Sequence, residues 1–431
     1  MKKNLTIIMG VLLALSWYVT ISSWLGNTAK YQEYLEEAKR LEEKGLYLDA
    51  LQEYENAREI KGDSKEIEEL IAQDYLAMGD LKKYRDKLNE MIEEYGPEEQ
   101  NVNKLVDYYK EYSSENSLVD CLSELYKKYP ESEIVKMHYN AVKGFYDEKY
   151  LSLNFIEEFY GKYAVFELNG KKGILKQNGD ICVEAVYDEI IYNGKNEDNI
   201  TVRDGNSYFF INIDGYKTKN LDENYDEVGA LSNKRILVKK DGKYGYLDAD
   251  LEIKIEPQYE DATSFLENLA AVKKGDKWAI INRDGEAVTE YIYDAVAVNS
   301  RNICSLNKII GVCQNGTWFF INEDGEKIDE NTYQDIKAFE SGQPCAVSMN
   351  KKWGFCDKEG NLIFECSYED AKSFENGYAA IKENNLWGFI DLENYKFIKG
   401  SFDEVQNMTS EGIAPVSRGG NWTLIELKIM N

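Results

Sequence analysis

Three sets of side chains in this chain could do chemistry, and each set recurs. The first is a series of acids that follow an aromatic: Tyr187-Asp-Glu, Tyr225-Asp-Glu, Tyr259-Glu-Asp, Tyr293-Asp, Tyr368-Glu-Asp and Phe402-Asp-Glu. Carboxylates gathered around a ring could pair as general acid and base, as in glycoside hydrolysis. The second is Asp-Gly in polar turns, as in Asn322-Glu-Asp-Gly-Glu, where turn oxygens could hold Ca²⁺. The third is the series Tyr208, Tyr244, Trp278, Trp318, Trp353, Trp387 and Trp422, whose rings could stack on sugars. Recurrence weighs against chemistry in every set. A catalyst needs one constellation, whereas a repeated fold needs the same turn and the same packing plug in each unit. The acids then serve turn hydrogen bonds, Asp-Gly is a turn pair, and the aromatics are structural plugs. No twelve-residue calcium loop with a terminal Glu is present.

The remaining residue types narrow the function further. A single histidine, His138, removes mechanisms that need a His pair or a His-rich metal site, and it reads as a satisfied helix-face residue. Seven cysteines form no C-x-x-C pair and read as small buried hydrophobes, with room for one chance disulfide. GxSxG, Walker A, HExxH and Gly-rich nucleotide loops do not occur, so no catalytic, cofactor-binding or metal-ligating residue is assigned. The formal charge of −27, without a basic cluster, argues against a nucleic-acid partner. Basic proteins, cations and neutral glycans stay open as partners, beside the plainer role of an acidic surface in solubility.

The elements that carry these residues are repeats. The seven aromatics lie 36, 34, 40, 35, 34 and 35 residues apart. Each is preceded by an apolar/polar alternation and a polar turn, and followed by an apolar run. Eight such phrases open at Ala164, Ile200, Ile236, Ala270, Ile310, Cys345, Ala379 and Ile413. Two strands of period 2 joined by a Gly/Asn turn make a hairpin, and a third short strand precedes the Tyr-acid motif. Units of this length suit the blades of a small propeller, closed so that no strand edge is left bare. An open superhelix of stacked hairpins is the competing arrangement. Phe155–Tyr163 looks like the tail of a unit, which would let the last hairpin pair with the start.

This region, 159–431, resembles the WG (KWG) repeat family. Trp353-Gly354 and Trp387-Gly388 match its motif, and Tyr244-Gly245 is a conservative variant. Trp278-Ala279, Trp318-Phe319 and Trp422-Thr423 depart at the glycine, and Lys172-Gly173 departs at the aromatic. The resemblance implies a bacterial surface or membrane-linked protein and little about its ligand.

Residues 30–158 show helical periodicity and resemble tetratricopeptide repeats. Gly45, Tyr47, Ala50, Tyr54 and Ala57 return 34 residues later as Gly79, Leu81, Tyr84, Leu88 and Met91. Small residues at helix crossings (Ala38, Ala50, Ala57, Ala72) and turn glycines (Gly45, Gly79) carry the match, and Pro97 and Pro130 trail the helices. Its third unit lacks the glycine, and a degenerate fourth from Glu133 through His138, Tyr139, Val142 and Tyr146 would cap the array. A groove for a peptide and a plain spacer are equal readings of this stretch.

Residues 1–29 complete the organisation. Lys2 and Lys3 precede 21 uncharged residues from Leu5 to Leu25, enough to span a bilayer. The lysines should stay inside and send the chain outward. A cleaved signal peptide is the alternative, although Asn27-Thr28-Ala29 is a poor cleavage site. The sequence therefore predicts an α+β multidomain protein: a transmembrane anchor, a short α-solenoid and an all-β repeat domain of about eight hairpins. The expected role is a single-pass, extracytoplasmic binding or scaffold protein for an unidentified protein or envelope component, without catalysis and without a cofactor. A glycan-binding module is the alternative, and a hydrolase built on the repeat acids is third.

Overall fold

Four glycines set the pace of the helical region. Gly45, Gly62, Gly79 and Gly96 stand 17 residues apart and adopt φ of +72, +84, +75 and +86°, the left-handed conformation that ends a helix without a Cβ penalty. Helices fill the intervals: α1 (described over residues 26–42), α2 (Tyr47–Lys61), α3 (Lys65–Ala77), α4 (Leu81–Tyr95), α5 (Glu99–Tyr112), α6 (Glu115–Lys128) and α7 (Glu133–Val142). Side chains of Ser64, Asp80 and Ser114 accept backbone N–H groups at the starts of α3, α4 and α6. Ala38, Ala50 and Ala57 are fully buried around Tyr54, and Ala72 continues the seam, so helices approach closely at these small residues. Tyr47 is half-buried at the head of α2.

The structure is a computed structural model. It describes residues 26–62, 64–221, 224–393 and 395–428, which form two compact units divided between Val142 and Lys143. The helical unit ends sixteen residues earlier than the sequence boundary at 158. Tyr146 begins a strand, Tyr146–Leu153, rather than completing a capping helix pair. This strand is half exposed, so its composition carries no clean two-residue alternation to set it apart from the helices before it. The proposed membrane span, residues 5–25, lies outside the described residues. Among the described residues no helix is long and apolar enough to cross a membrane.

The second unit is an eight-bladed β-propeller. Its eight sheets follow one another in chain order. In blade 6 the strands are Asp335–Ile336, Cys345–Met349, Lys352–Cys356 and Leu362–Tyr368, and blade 7 repeats them as Asp370–Ala371, Tyr378–Glu383, Leu386–Asp391 and Lys396–Phe402. The short first strand lies innermost and the long fourth strand outermost. Blade 8 takes Glu404–Val405, Ile413–Arg418 and Asn421–Leu427 from the C-terminal end, and its outer strand is Tyr146–Leu153. Tyr146 pairs with Leu427 and Lys149 with Leu424 in an antiparallel register. The ring is thus closed by a strand from its own N-terminal side. Phe155–Ile156, the segment expected to meet the last hairpin, is instead the inner strand of blade 1. Just ahead of the closing strand, Lys143 Nζ donates to Asp391 Oδ2 at 2.6 Å, with both side chains nearly dehydrated. Arg418 grips both oxygens of Glu148 at 2.8 Å.

Each blade sends alternate side chains to opposite faces, and each gap between blades holds its own apolar cluster. In blade 6, Cys345, Val347 and Cys356 enter the wedge with blade 5. Ala346, Trp353 and Phe355 enter the wedge with blade 7. The repeated aromatic always belongs to the second kind: Tyr208, Trp387 and Trp422 join the clusters toward blades 3, 8 and 1, and Tyr244, Trp278 and Trp318 pack against those toward blades 4, 5 and 6.

The glycine after the aromatic has a steric cause. In blades 1, 3, 6 and 7 the outer strand bulges over the third strand; Trp353 pairs with Tyr368 while Phe355 pairs with Phe364. A Cβ at Gly173, Gly245, Gly354 or Gly388 would lie 2.4, 2.5, 2.4 or 2.3 Å from a carbonyl oxygen of that bulge. Blades 4 and 5 carry Ala279 and Phe319 here, and their outer segments make only isolated bridges, Trp278 with Tyr293 and Trp318 with Tyr333. In blade 8, Thr423 faces the closing strand. Gly388→Ala should therefore cost about 1–3 kcal/mol of stability in urea unfolding through forced displacement of the bulge, whereas Ala279→Gly should cost no more than about 1 kcal/mol, the backbone-entropy penalty.

Candidate functional site

The first acid of each Tyr-acid motif is spent on its blade. Asp188, Asp226 and Asp403 accept the backbone N–H of Gly205, Gly242 and Gly419 at 2.7, 3.0 and 2.6 Å. Glu369 takes those of Asn384 and Asn385. These turns join the second and third strands of the same blade. Lys171 bridges back to Asp188 at 2.7 Å, which ties neighbouring blades. That lysine and the turn amide hold the Asp188 carboxyl below the usual carboxylate range. The Asp-Gly turn at Asp324 and its Glu359-Gly360 counterpart are Asx turns: Asn322 Oδ1 accepts from Asp324 and Glu326, and Asp357 Oδ1 from Glu359 and Asn361. His138 Nε2 lies 2.6 Å from Asn103 Oδ1. All seven cysteines are free, and Cys345 and Cys356 face each other in blade 6.

A pocket opens where the repeat loses its tryptophan. At the aromatic position, blades 1, 2 and 3 carry Lys172, Tyr208 and Tyr244, and all three line one cavity of about 340 Å³. Carboxylates from the same blades hold their polar ends. Lys172 Nζ donates to Glu157 at 2.6 Å, the Tyr208 hydroxyl to Glu189 at 2.9 Å, and the Tyr244 hydroxyl to Glu227 at 2.7 Å. Lys239 also reaches Glu227, at 2.7 Å. Burial raises the Glu157 carboxyl and both tyrosine hydroxyls above their usual ranges. The result is a preformed concave surface that sets paired charges among both apolar side chains, such as Ile190, Val228 and Leu237, and polar ones, such as Asn193 and Ser232.

The floor of this pocket is the axis of the propeller. Ser300 and Arg301, from blade 5, meet Glu158 and Tyr160, from blade 1 on the opposite side of the ring. Ser300 Oγ donates to Glu158 Oε2 at 2.7 Å and also bonds the Tyr160 hydroxyl. The Arg301 guanidinium stacks 4.7 Å from the Tyr160 ring centre and lies 4.0 Å from Glu340. Glu340 and Glu375 extend from blades 6 and 7. Asn299 donates to Glu340 at 3.2 Å, and Asn407 to Glu375 at 3.3 Å. Lys372 donates to Gln406 at 2.8 Å. Burial, and then the Glu158 carboxylate, push Glu375 up to about 9 and Glu340 up to about 8. Burial lowers the Lys372 ammonium.

None of these axial residues belongs to a motif visible in the sequence. The signal for them was the one irregular spacing, 40 residues from Trp278 to Trp318, which accommodates the Asn299–Asn302 segment. The pocket of blades 1–3 had a signal too, in the departures from Trp at Lys172, Tyr208 and Tyr244. The helical unit holds a smaller buried pair: burial and then Glu42 push the Asp74 carboxyl up to about 7.

The repeat geometry agrees with comparison to known families. WG repeats are found within residues 224–422. The model of the WG containing repeat matches residues 224–244, 244–278, 353–387 and 387–422. Three of these spans run from one repeated aromatic to the next and the first ends on Tyr244; the interval 279–352, where Ala279 and Phe319 replace the WG glycine, is passed over. No match covers the helical unit, so its likeness to tetratricopeptide repeats rests on the glycine and alanine spacing. No curated protein matches the chain. Among solved structures, similarity extends to PorZ, a surface component of the type-IX secretion system of Porphyromonas gingivalis, at 10% identity and TM-score 0.36 over 63% of this chain. The chain covers 42% of PorZ. It is also similar to the AfRom2 CNH domain (10% identity, TM-score 0.36, 67% of this chain and 97% of that one) and to Kluyveromyces lactis Hsv2 (11%, 0.37, 62% and 95%).

The axial carboxyls of the propeller give it a pH signature. A carboxyl raised on folding holds its proton more tightly folded than unfolded, so its stabilising effect is complete below the usual carboxylate range. That effect is lost as pH rises toward the folded values. Thermal unfolding should therefore begin earlier at pH 9 than at pH 5, across the window set by Glu340 and Glu375 at about 8 and about 9. Glu375→Gln should lessen that difference, which isolates the axial contribution from repulsion across the acidic surface.

Proposed function

We propose that this protein is a binding module, tethered to the membrane by residues 1–29, which recognises a protein or envelope component on the extracytoplasmic face without catalysis. The observation that carries this reading is the pocket of blades 1–3. It exists because Lys172, Tyr208 and Tyr244 replace the tryptophan plug, and its polar groups are already held in place by Glu157, Glu189 and Glu227. A preorganised site loses little entropy on binding, and its volume suits a short polar segment of a partner. The two lysines before the uncharged stretch at 5–25 support the outward orientation.

The glycan alternative needs exposed aromatic faces. Trp353, Trp387 and Trp422 are instead buried in their wedges, and Trp278 and Trp318 pack against theirs. A hydrolase built on the repeat acids would need carboxylates free of the turns, and the first acid of each motif is engaged there.

A membrane-impermeant crosslinker applied to intact cells tests both parts. Wild type should capture a partner. Tyr244→Trp, which restores the plug, should keep the unfolding midpoint and lose capture by roughly tenfold or more, the equivalent of one good contact. Equal capture by Tyr244→Trp would overturn the pocket; capture only after lysis would overturn the location.

A further inference from the structure

Arg301 is the one cation lining the pocket of blades 1–3 whose side chain donates no hydrogen bond among the described residues. Lys172 and Lys239, the other cations on that wall, are committed to Glu157 and Glu227 at 2.6 and 2.7 Å. The Arg301 guanidinium stacks over the Tyr160 ring at 4.7 Å and approaches Glu340 at 4.0 Å, which is too long for a hydrogen bond. Its Nε is buried and unpartnered, and the side chain is only 13% exposed. Arg418 of the same propeller shows the satisfied arrangement. It grips both oxygens of Glu148 at 2.8 Å and donates to the Tyr146 hydroxyl at 2.9 Å. A guanidinium carries five N–H donors, and dehydrating them without acceptors costs free energy. The buried Tyr192 hydroxyl belongs to a residue of the same pocket and also has no partner. Unused donors on one cavity wall suit a ligand that brings acceptor oxygens.

The local sequence fixes Arg301 before any ligand arrives. Asn299 Oδ1 accepts the amides of Arg301 and Ile303 at 3.0 and 3.1 Å, which folds residues 299–303 into a tight hook. The amide of Ser264 donates to the Asn302 carbonyl at 2.7 Å, and Asn302 Nδ2 donates to Ala262 at 3.2 Å, so the hook is docked on blade 4. Ser300 stays exposed, whereas Arg301 is held against the Tyr160 ring of blade 1. A side chain ordered in advance loses little entropy on binding.

The surrounding charges select the kind of oxygen. The acids of the pocket are spent: Glu157 on Lys172, Glu189 on Tyr208 and Arg203, and Glu227 on Tyr244 and Lys239. Glu158 accepts from Ser300 and Tyr160 through Oε2. Burial and then Glu158 raise the Glu340 carboxyl to about 8, so at neutral pH it is mostly protonated and leaves the guanidinium charge largely uncompensated. A carboxylate matches the planar fork with two parallel N–H···O bonds and brings one negative charge. A phosphate brings closer to two, more than one arginine offsets among these acids.

We propose that Arg301 anchors a carboxylate-binding subsite in the pocket of blades 1–3, where a carboxylate of the partner's segment, at its C-terminus or on an acidic side chain, accepts a bidentate pair of hydrogen bonds from the guanidinium. The subsite rests on the reading of that pocket as the partner's site and specifies the chemistry the pocket selects.

Calorimetric titration of the full chain at about pH 7 with three acetylated tripeptides tests it. One ends in a free carboxylate, the second is its C-terminal amide, and the third is an amide with a central aspartate. In wild type a carboxylate should tighten binding roughly tenfold or more over the plain amide, the equivalent of one good contact, and the tighter of the two acids names the source. In Arg301→Gln the preference should vanish. The unfolding midpoint of that variant should fall less than that of Arg418→Gln, because Arg301 has no hydrogen bond to lose. No preference in wild type, an equal preference in Arg301→Gln, tighter binding of inorganic phosphate than of either acid, or a midpoint that falls as far as in Arg418→Gln would each overturn the proposal. Partner capture that is lost in Tyr244→Trp while wild type shows no acid preference would leave the pocket standing and remove the subsite alone.

Discussion

A ring of β-blades depends on one joint, the place where its two ends meet. Seven of the eight wedges here lie between blades adjacent in sequence, and chain connectivity alone keeps them close. The eighth must be held by contacts. Tyr146–Leu153 provides them by completing the last blade, so that Trp422 is packed with Leu153, Ile156 and Phe166 rather than bared to water. The Lys143–Asp391 pair and the Glu148–Arg418 grip fix the N-terminal half of that strand. A buried ion pair adds little net stability, but its geometry admits one arrangement of the partners. Without this joint the first and last blades would each expose an apolar face, and the last blade an unpaired edge as well.

Closure also explains why the axis becomes a site. Eight inner strands converge on a space too wide for their own side chains to fill evenly. Short links leave it open, and the longer link of blade 5 fills it. The same unevenness acts further out, where Trp packs into one set of wedges and Tyr or Lys leaves room for polar groups in another. Pocket and plug are thus both departures from the repeat, placed on a scaffold that the repeat makes rigid.

Much of this was legible in the chain. The period, the eight units and the turn role of the first acids follow from residue types at fixed spacing. Gly45 and Gly79 marked helix ends because few other residues tolerate that backbone conformation. The closing strand was not legible, because an outer strand with one wet face has no strong pattern, and its partner lies some 270 residues away, as for Glu148 and Arg418. Nor was the axial network. Glu158, Glu340 and Glu375 fall outside the Tyr-acid motif, and only folding brings blades 1, 6 and 7 to a common centre. The WG glycine was visible as a motif but not as a reason; its cause is the carbonyl of a bulge in the neighbouring strand.

The central claim is that the ring is closed by Tyr146–Leu153, and it can be tested on the full chain. Asp147 and Glu426 are register partners across the joint. With Asp147→Cys and Glu426→Cys together, a short bismaleimide should link the two positions in the folded protein, and mass spectrometry should recover the peptide pair 147–426. If folded protein is instead labelled separately at the two sites and the linked pair never appears, the ends do not meet and the closed ring is wrong.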